Sequence, residues 1–343
     1  LSEQKRYIAE TVPGFTGFLQ NDLKQLLRPV PIIRTVTDDE IEFTTHQSIE
    51  NIHIPTAQAL YVVEDYDIPR PKAFLGNAHL FRLLDQIQFV LRQKHNRYGS
   101  LHLAAAGSDS SVMVRLKEEL AKRLSLPVND DAGDLLIRIR KNKITDQWQV
   151  LVRLSPRPLA TRPWRICDMP GALNAVVAHT IGQLATDKEG ESLLCNLASG
   201  SGSILIEHLL RAKNHNAVGV ELDADVMRCA QQNIEAAGIE QRAHLICGDM
   251  TRLPFENGSL RNLCADLPFG QRVGSHQINT EVYPLLWAEA GRVAQSGATF
   301  VILTHEIRLL SDLLYKNNTW SLKREIKITL RGLHPRIYVL QRS

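Results

Sequence analysis

The sequence is short of the features that place a chain at a glance. Aromatic residues make up 6% of its 343 positions. Apolar runs last only a few residues, far below the roughly 20 a bilayer-crossing helix needs, so no membrane partner is expected. The opening stretch LSEQKRYIAE has no apolar signal core, which argues against secretion. The five cysteines (Cys167, Cys195, Cys229, Cys247, Cys264) form no CxxC pair and are odd in number. Free thiols in a reducing, cytoplasmic setting are expected rather than a disulfide framework or a zinc site, and no metal is expected. An excess of one charge is also missing. Lys+Arg number 40 and Asp+Glu 37, for a net charge of +3. That excludes a polycationic nucleic-acid wrapper and leaves a basic enzyme and an RNA binder equally open.

What is present is ample core material. Hydrophobic residues are 44% of the chain, and at about 150 residues per domain the length suits two or three domains. The first half mixes strands (RYIAETV, PIIRTVT, EIEFTT, ALYVVEDYDI, SLHLAAAG, LLIRIRK, WQVLVRLS) with three helices. The helix NAHLFRLLDQIQFVLRQK has Asn77 as its candidate cap, and SDSSVMVRLKEELAKRLSL opens on a Ser/Asp cap. Two small α+β units are expected, 1–59 and 60–158. An Arg/Pro-rich linker is expected at 159–169, where proline blocks helix and the arginines either face solvent or meet phosphates. From 170 to 343, strands and helices alternate. That rhythm implies a mostly parallel sheet covered on both faces, with ligands at the carboxyl ends of its strands. The helix DADVMRCAQQNIEAAG is expected to start at Asp223 and stop at Gly238. Tyr283 and Pro284 are expected to begin the next one.

Residues 195–203 read CNLASGSGS directly after an apolar strand. Gly200 and Gly202 permit a tight turn and close approach of a ligand, and the helix that follows aims its first N–H groups at the bend. An ordinary strand–helix turn and a dinucleotide fold are the competing explanations. The second prefers G-x-G-x-x-G, and here Leu205 stands at the third glycine. Glu221 closes the next strand, suited to accept from ribose hydroxyls. Asp249 closes the third, suited to an adenine amino group. In that order they describe an adenosyl group lying across three strand ends, with no place for a pyrophosphate.

The fourth strand ends in Ala265-Asp266-Leu267-Pro268-Phe269-Gly270. Pro268 supplies no donor and fixes one torsion, which leaves the Leu267 carbonyl free to project beside Asp266. Two acceptors can hold the two hydrogens of an exocyclic amine, and Phe269 offers a face for a flipped base. A plain turn is the alternative, since D-x-P-x-G is turn-prone. In the loop beyond, Arg272 suits a phosphate and Asn279 can read a base edge or hold the loop. His276 is a surface-loop histidine with no required catalytic part.

These stretches resemble the THUMP-domain-containing RNA methyltransferases that methylate guanosine N2 in tRNA, a class I S-adenosylmethionine-dependent family. CNLASGSGSILIE matches the cofactor-loop motif, DLPFGQRVGS with Asn279 and Tyr283-Pro284 the catalytic motif and its extension, and PGALNAVVA the helix ahead of the sheet. Asn196 stands where the family commonly has Asp, and Ser199 to Ser203 replace its usual Cys-Gly-Ser-Gly-Thr. Leu267 is tolerated in the subgroup acting on the acceptor stem, which favours position 6. The resemblance implies a seven-stranded Rossmann-like domain behind ferredoxin-like and THUMP-like units. It implies S-adenosylmethionine held by Asn196, Ala198, Ser199, Gly200, Gly202, Ser203, Glu221, Leu222, Asp249, Met250 and Asp266. Asp266, Leu267, Pro268 and Phe269 then carry the transfer, and Arg162, Arg165, Arg272, His276 and Asn279 meet the RNA. The expected partner is RNA, above all tRNA, with no DNA and a monomeric enzyme. The alternatives are guanosine N2 in rRNA, adenine N6, and a non-catalytic RNA-binding protein on a decayed scaffold.

Overall fold

The computed structural model describes residues 4–49, 52–92, 98–186, 192–268 and 276–343. The chain divides into two compact units, Leu1–Thr11 with Phe15–Ala160 and Val12–Gly14 with Thr161–Ser343.

The first unit contains β1 (Lys5–Glu10), α1 (Thr16–Leu26), β2 (Ile32–Thr35), β3 (Glu40–Thr45) and β4 (Ala59–Tyr66). It continues with a 3-10 turn (Pro71–Leu75), α2 (Asn77–Leu91), β5 (Leu101–Ala105), α3 (Ser111–Leu124), β6 (Leu135–Lys141) and β7 (Trp148–Arg153). All seven strands form one sheet, ordered β2-β3-β1-β4-β7-β6-β5. β4 pairs with β1 on one side and β7 on the other, so residues on both sides of the expected division at 59/60 share that sheet. The apolar stripes of the helices (Leu19 and Leu23, Leu83 and Ile87, Leu116 and Leu120) bury one face. On the other, Ile8, Tyr61, Val63 and Leu151 form a smaller cluster. The Arg138 guanidinium lies 5.0 Å over the Tyr61 ring and pairs with Glu10. Such half-exposed pairs contribute little by themselves, but their aliphatic stems shield apolar surface. Ser110 caps α3 by accepting from Met113 N. Asn77 does not cap α2: Gly76 occupies that position and Asn77 is the first helical residue.

The second unit contains α4 (Ala175–Ala185), β8 (Leu193–Asn196), α5 (Ser203–Arg211), β9 (Asn216–Glu221), α6 (Ala224–Ala236), β10 (Ala243–Cys247) and β11 (Leu260–Asp266). It ends with α7 (His276–Val293), β12 (Ala294–Thr304), α8 (Ile307–Lys316), β13 (Trp320–Lys327) and β14 (Arg336–Arg342). The strand order is β10-β9-β8-β11-β12-β14-β13. The first five strands run parallel, and β14 is antiparallel to both neighbours. The chain winds outward from β8 through β9 to β10, then returns to place β11 on the other side of β8. The β8–β11 boundary is therefore the topological switch point, where the connections leave in opposite directions and open a crevice. Asp223 caps α6 through Asp225 N at 2.7 Å, and Gly238 follows with φ +65°.

Two expectations fail here. Helix α7 opens at His276, not at Tyr283-Pro284, and Pro284 lies inside it on the exposed side. A proline early in an apolar stretch looks like a first-turn residue, but Asn279 and Tyr283, four apart on one face, are both buried and extend the helix backward. Free thiols were expected throughout, yet Cys167 and Cys229 form a disulfide with Cα atoms 5.4 Å apart. Asn233, one turn beyond Cys229, holds the same segment. Its Oδ1 accepts from Ile166 N and Cys167 N at 3.0 and 2.9 Å, and its Nδ2 donates to Cys167 O at 2.9 Å. The segment is thereby fastened to α6 beside Cys229.

Candidate active site

The strand ends form one continuous rim. Gly248 N donates to Glu221 O, Ser199 N to Val220 O, Leu197 N to Cys264 O and Leu267 N to Leu303 O, all at 2.9–3.0 Å. This brings Asn196, Glu221, Asp249 and Asp266 to the same edge of the sheet.

The glycine turn has the expected backbone. Gly200 and Gly202 have φ +54° and +80°, and Gly202 N donates to Ser199 O at 3.0 Å to close the turn. A Cβ built on Gly200 meets nothing within 4 Å, so the turn borders open space. A Cβ on Gly219 would lie 2.4 Å from Ser199 Oγ and 2.7 Å from Leu205 Cδ1, so β9 itself must be bare there for the turn to seat. Glu221 Oε2 accepts from Gly200 N at 2.8 Å and its Oε1 from Asp223 N at 3.1 Å. The carboxylate is thus fixed at the turn with lone pairs to spare. Asp249 Oδ1 accepts from Thr251 N at 2.8 Å, a turn cap, and the residue is exposed. Leu222 is 71% exposed beside them.

Two buried polar atoms in this turn, Asn196 Nδ2 and Ser199 Oγ, have no partner among the described residues. Asn196 is fully buried, and its Oδ1 already accepts from Ala198 N at 3.4 Å. Buried unpaired groups cost free energy unless a ligand completes them. The free atom of Asn196 is a donor, so it suits a carboxylate oxygen. The aspartate common at this position would suit an ammonium. Glycine space, orphaned donors and the two acids fit an adenosyl amino acid.

Asp266 ends β11 two residues beyond Cys264, which lies opposite Asn196 at the end of β8. Its carboxyl makes no hydrogen bond among the described residues, and burial pushes its pKa up to about 7. Leu267 packs into the core with its N–H on Leu303. Its carbonyl accepts from no described residue. The neighbouring Pro268 carbonyl is held twice, by Asn279 Nδ2 at 3.1 Å and Tyr283 OH at 3.2 Å. Tyr283 OH also shares a 2.7 Å bond with Thr304 Oγ1, and Asn279 Nδ2 donates to Glu306 Oε1 at 3.1 Å. Fixing the Pro268 carbonyl fixes the one plane it belongs to, and the locked φ of proline limits how far the Leu267 carbonyl can turn against it. Phe269 and Arg272 lie outside the described residues.

Three expected RNA contacts prove to be internal ties. Asn279 is fully buried and holds the loop rather than facing a base. Arg162 lies in the interior, its Nε 2.8 Å from Glu207 Oε1. Arg165 donates to Leu173 O at 2.6 Å and to Ser203 Oγ at 3.0 Å. Proline-rich composition made this stretch look like a linker, but its arginines find partners 38 and 45 residues away. His276 is exposed, with Nδ1 2.9 Å from Glu306 Oε2. Sequence reasoning missed Asn233, whose Nδ2 also donates to Ser201 O at 3.1 Å and so ties the glycine turn to α6. A lone Asn on the apolar face of a helix was the available signal. The thiol of Cys195 is pushed up to about 12 by burial and offers no nucleophile.

A family model described as RMKL-like, methyltransferase domain, matches residues 162–336, just over half of the chain. The chain belongs to the RMKL-like methyltransferase domain family. It is therefore an S-adenosylmethionine-dependent methyltransferase with a class I α/β fold. Along the whole chain, the crystal structure of TrmN from Thermus thermophilus superposes with a TM-score of 0.80 at 20% identity, covering 99% of this chain and 100% of that one. The tRNA (guanine(6)-N2)-methyltransferase of Methanocaldococcus jannaschii is 22% identical over 288 residues, 73% of this chain and 74% of the relative. The U6 snRNA (guanine-N(2))-methyltransferase THUMPD2 of Mus musculus is 26% identical over 164 residues, 48% of this chain and 30% of that one.

The two ties on the Pro268 carbonyl make a prediction for this RMKL-like domain. Asn279→Ala combined with Tyr283→Phe should lower kcat about 10- to 100-fold, because loosening the loop by an ångström misplaces the acceptor pair. S-adenosylmethionine affinity, measured by calorimetry, should stay within about twofold. An equal loss of cofactor affinity would show a general structural role and contradict the positioning role.

Proposed function

We propose that the chain transfers a methyl group from S-adenosylmethionine to the exocyclic N2 of guanosine in RNA, with the tRNA acceptor stem at or near position 6 as substrate. The observation that carries this reading is the Asp266 carboxyl beside the Leu267 carbonyl at the switch point, neither of which has a hydrogen-bond partner among the described residues. An exocyclic amine has two N–H bonds in one plane, and two adjacent acceptors hold both. The nitrogen lone pair is then aimed away from the acceptors. The choice of guanosine and tRNA is supported by the Methanocaldococcus relative, a tRNA (guanine(6)-N2)-methyltransferase matched over most of both chains.

Asn196 and Ser199 would hold the amino-acid end of the cofactor, Glu221 the ribose hydroxyls, and Asp249 the adenine amine, with Ala198, Gly200, Gly202, Ser203, Leu222 and Met250 shaping the walls. The bound cofactor supplies a methyl carbon already activated by a sulfonium, so no protein nucleophile is needed. The chain's own part is orientation and exclusion of water. Asp266 also stabilises the positive charge that builds on the attacking nitrogen, and takes or relays its proton. Phe269 as the stacking face, with Arg272 and His276 toward phosphate, completes the proposal from sequence.

The test is a reaction of the full chain with unmodified tRNA transcripts and S-adenosylmethionine, followed by nucleoside mass spectrometry. N2-methylguanosine is the expected product. N6-methyladenosine, or no methylated nucleoside, would overturn the reading.

A further inference from the structure

The hairpin between β13 and β14 has a backbone its sequence should avoid. Leu330 and Leu333 exchange both backbone hydrogen bonds at 2.9 Å. They enclose Arg331 at φ +49° and Gly332 at φ +81°. Two consecutive positive φ values make a type I′ turn, whose first position is the preserve of Asn, Asp and Gly. Among the described residues of the second unit, Arg331 is the one non-glycine residue with positive φ. A side chain kept at a strained position is a pointer to function.

The tip is also held firmly. Ile328 is buried, and its N–H donates to Pro335 O at 3.3 Å. Thr329 N donates to Pro13 O at 3.4 Å. Gly14 passes so close that a Cβ there would sit 2.2 Å from Lys327 O. Arg331 itself is exposed on this clamped base.

Register places the tip on the site's side of the sheet. Asp266 lies opposite Leu303, Leu303 opposite Ile337 and Ile337 opposite Ile326. One rung further toward the strand ends come Thr304, Arg336 and Lys327. The hairpin therefore rises from the rim that carries Asp266, three strands across, about 10–15 Å along the sheet. Its charge is unbalanced. Glu325 is taken by Arg336, whereas Lys327 and Arg331 have no acidic partner among the described residues. The pKa of Arg165 is lowered, first by burial and last by the like charge of Arg331, against the pull of Asp168 and Glu207. Arg165 is the residue bonded to Ser203 of the cofactor turn. Lys327 and Arg331 thus place positive charge at this edge of the sheet with no acidic partner among the described residues to answer it.

We propose that Arg331, presented by the clamped type I′ tip and assisted by Lys327 at its base, is a contact for the phosphodiester backbone of the RNA beside the methyl-transfer site. This rests on the reading of RNA as substrate. A phosphate contact orients the strand without reading its sequence, which is the service a base-flipping enzyme needs on the flank of its target.

The test uses the full chain, a labelled unmodified tRNA transcript, and the variants Arg331→Asn and Arg331→Lys. Asn suits the turn better than Arg, so Arg331→Asn should melt no lower than the parent. Its Kd for the transcript should rise about tenfold at 0.15 M salt. The slope of log affinity against log salt should flatten by about one. Arg331→Lys should restore most of both, and calorimetric affinity for S-adenosylmethionine should stay within about twofold throughout. Parental affinity and salt slope in Arg331→Asn would overturn this contact while leaving the RNA reading intact. Failure of the parent itself to bind any transcript would overturn both.

Discussion

Replacing Asp266 by Asn is expected to lower methyl transfer about 10²- to 10³-fold, the cost of removing one preorganised charged group from a reacting centre. Asp266→Ala should reduce transfer to background. Cofactor binding, followed by calorimetry, should largely survive in both. The parent's pH profile makes the assignment sharper. Burial pushes the Asp266 carboxyl up to about 7. A neutral carboxyl keeps one acceptor oxygen, but it turns a proton toward the site and loses the charge that balances the attacking nitrogen, so the ionised form is the active one. The rate should therefore rise about tenfold per pH unit below 7 and level off above about 8. The Asn variant should lose that rise. Stability runs the other way. A carboxyl with a raised native pKa binds its proton more tightly folded than unfolded, so it weakens the fold as pH climbs from the ordinary carboxylate range through 7. In the cofactor-free protein, Asp266→Asn should raise Tm more at pH 8 than at pH 4. A flat parental rate profile from pH 5.5 to 8.5, or near-parental activity in the Asn variant, would remove Asp266 from the reaction.

The parts of this site legible in the sequence are those set by local backbone chemistry. Gly200 and Gly202 announce a positive-φ turn after an apolar strand, and both values are found. Glu221 and Asp266 mark strand ends because each is the first acid after an apolar run. Strand–helix alternation gives the parallel sheet, and the sheet's winding puts those ends together. The illegible parts depend on partners far away along the chain. Nothing near Arg162 hints at Glu207, 45 residues on. Nothing near Cys167 hints at Cys229, 62 residues on. Asn279 and Arg331 fail differently. A polar residue after a catalytic motif looks like a substrate contact until the helix turns it inward to the Pro268 carbonyl. An arginine in a hairpin looks ordinary until its φ is known. The same limit explains the first unit. β4 resembles the start of a new domain in one dimension, but it is a central strand with partners from both sides.

The largest stability effect belongs to an ion pair whose arginine, Arg162, the sequence assigns to RNA. Arg162 Nε and Nη2 reach the two oxygens of Glu207 at 2.8 and 3.2 Å, and Trp164 Nε1 donates to the same carboxylate at 3.2 Å. His179 Nδ1 stands 3.7 Å away. The side chains of Arg162 and Glu207 are 4% and 3% exposed. Glu207 lies in α5, the helix that opens on the glycine turn, so the pair anchors the first residues of the second unit to that helix. Arg162→Ala strands a carboxylate in the interior and should cost about 3–5 kcal/mol. At about 2–4 °C per kcal/mol for a unit of this size, Tm should fall by about 6–20 °C. The loss should be smaller at pH 5.5 than at pH 8, because the stranded carboxyl can escape its penalty by taking a proton. Replacing both partners at once, Arg162→Met with Glu207→Leu, should recover most of the loss, since an apolar pair of similar volume needs no desolvation of charge. RNA affinity at a temperature where Arg162→Ala remains folded should match the parent. A variant that keeps its Tm but loses RNA binding would return Arg162 to the substrate interface and undo this account.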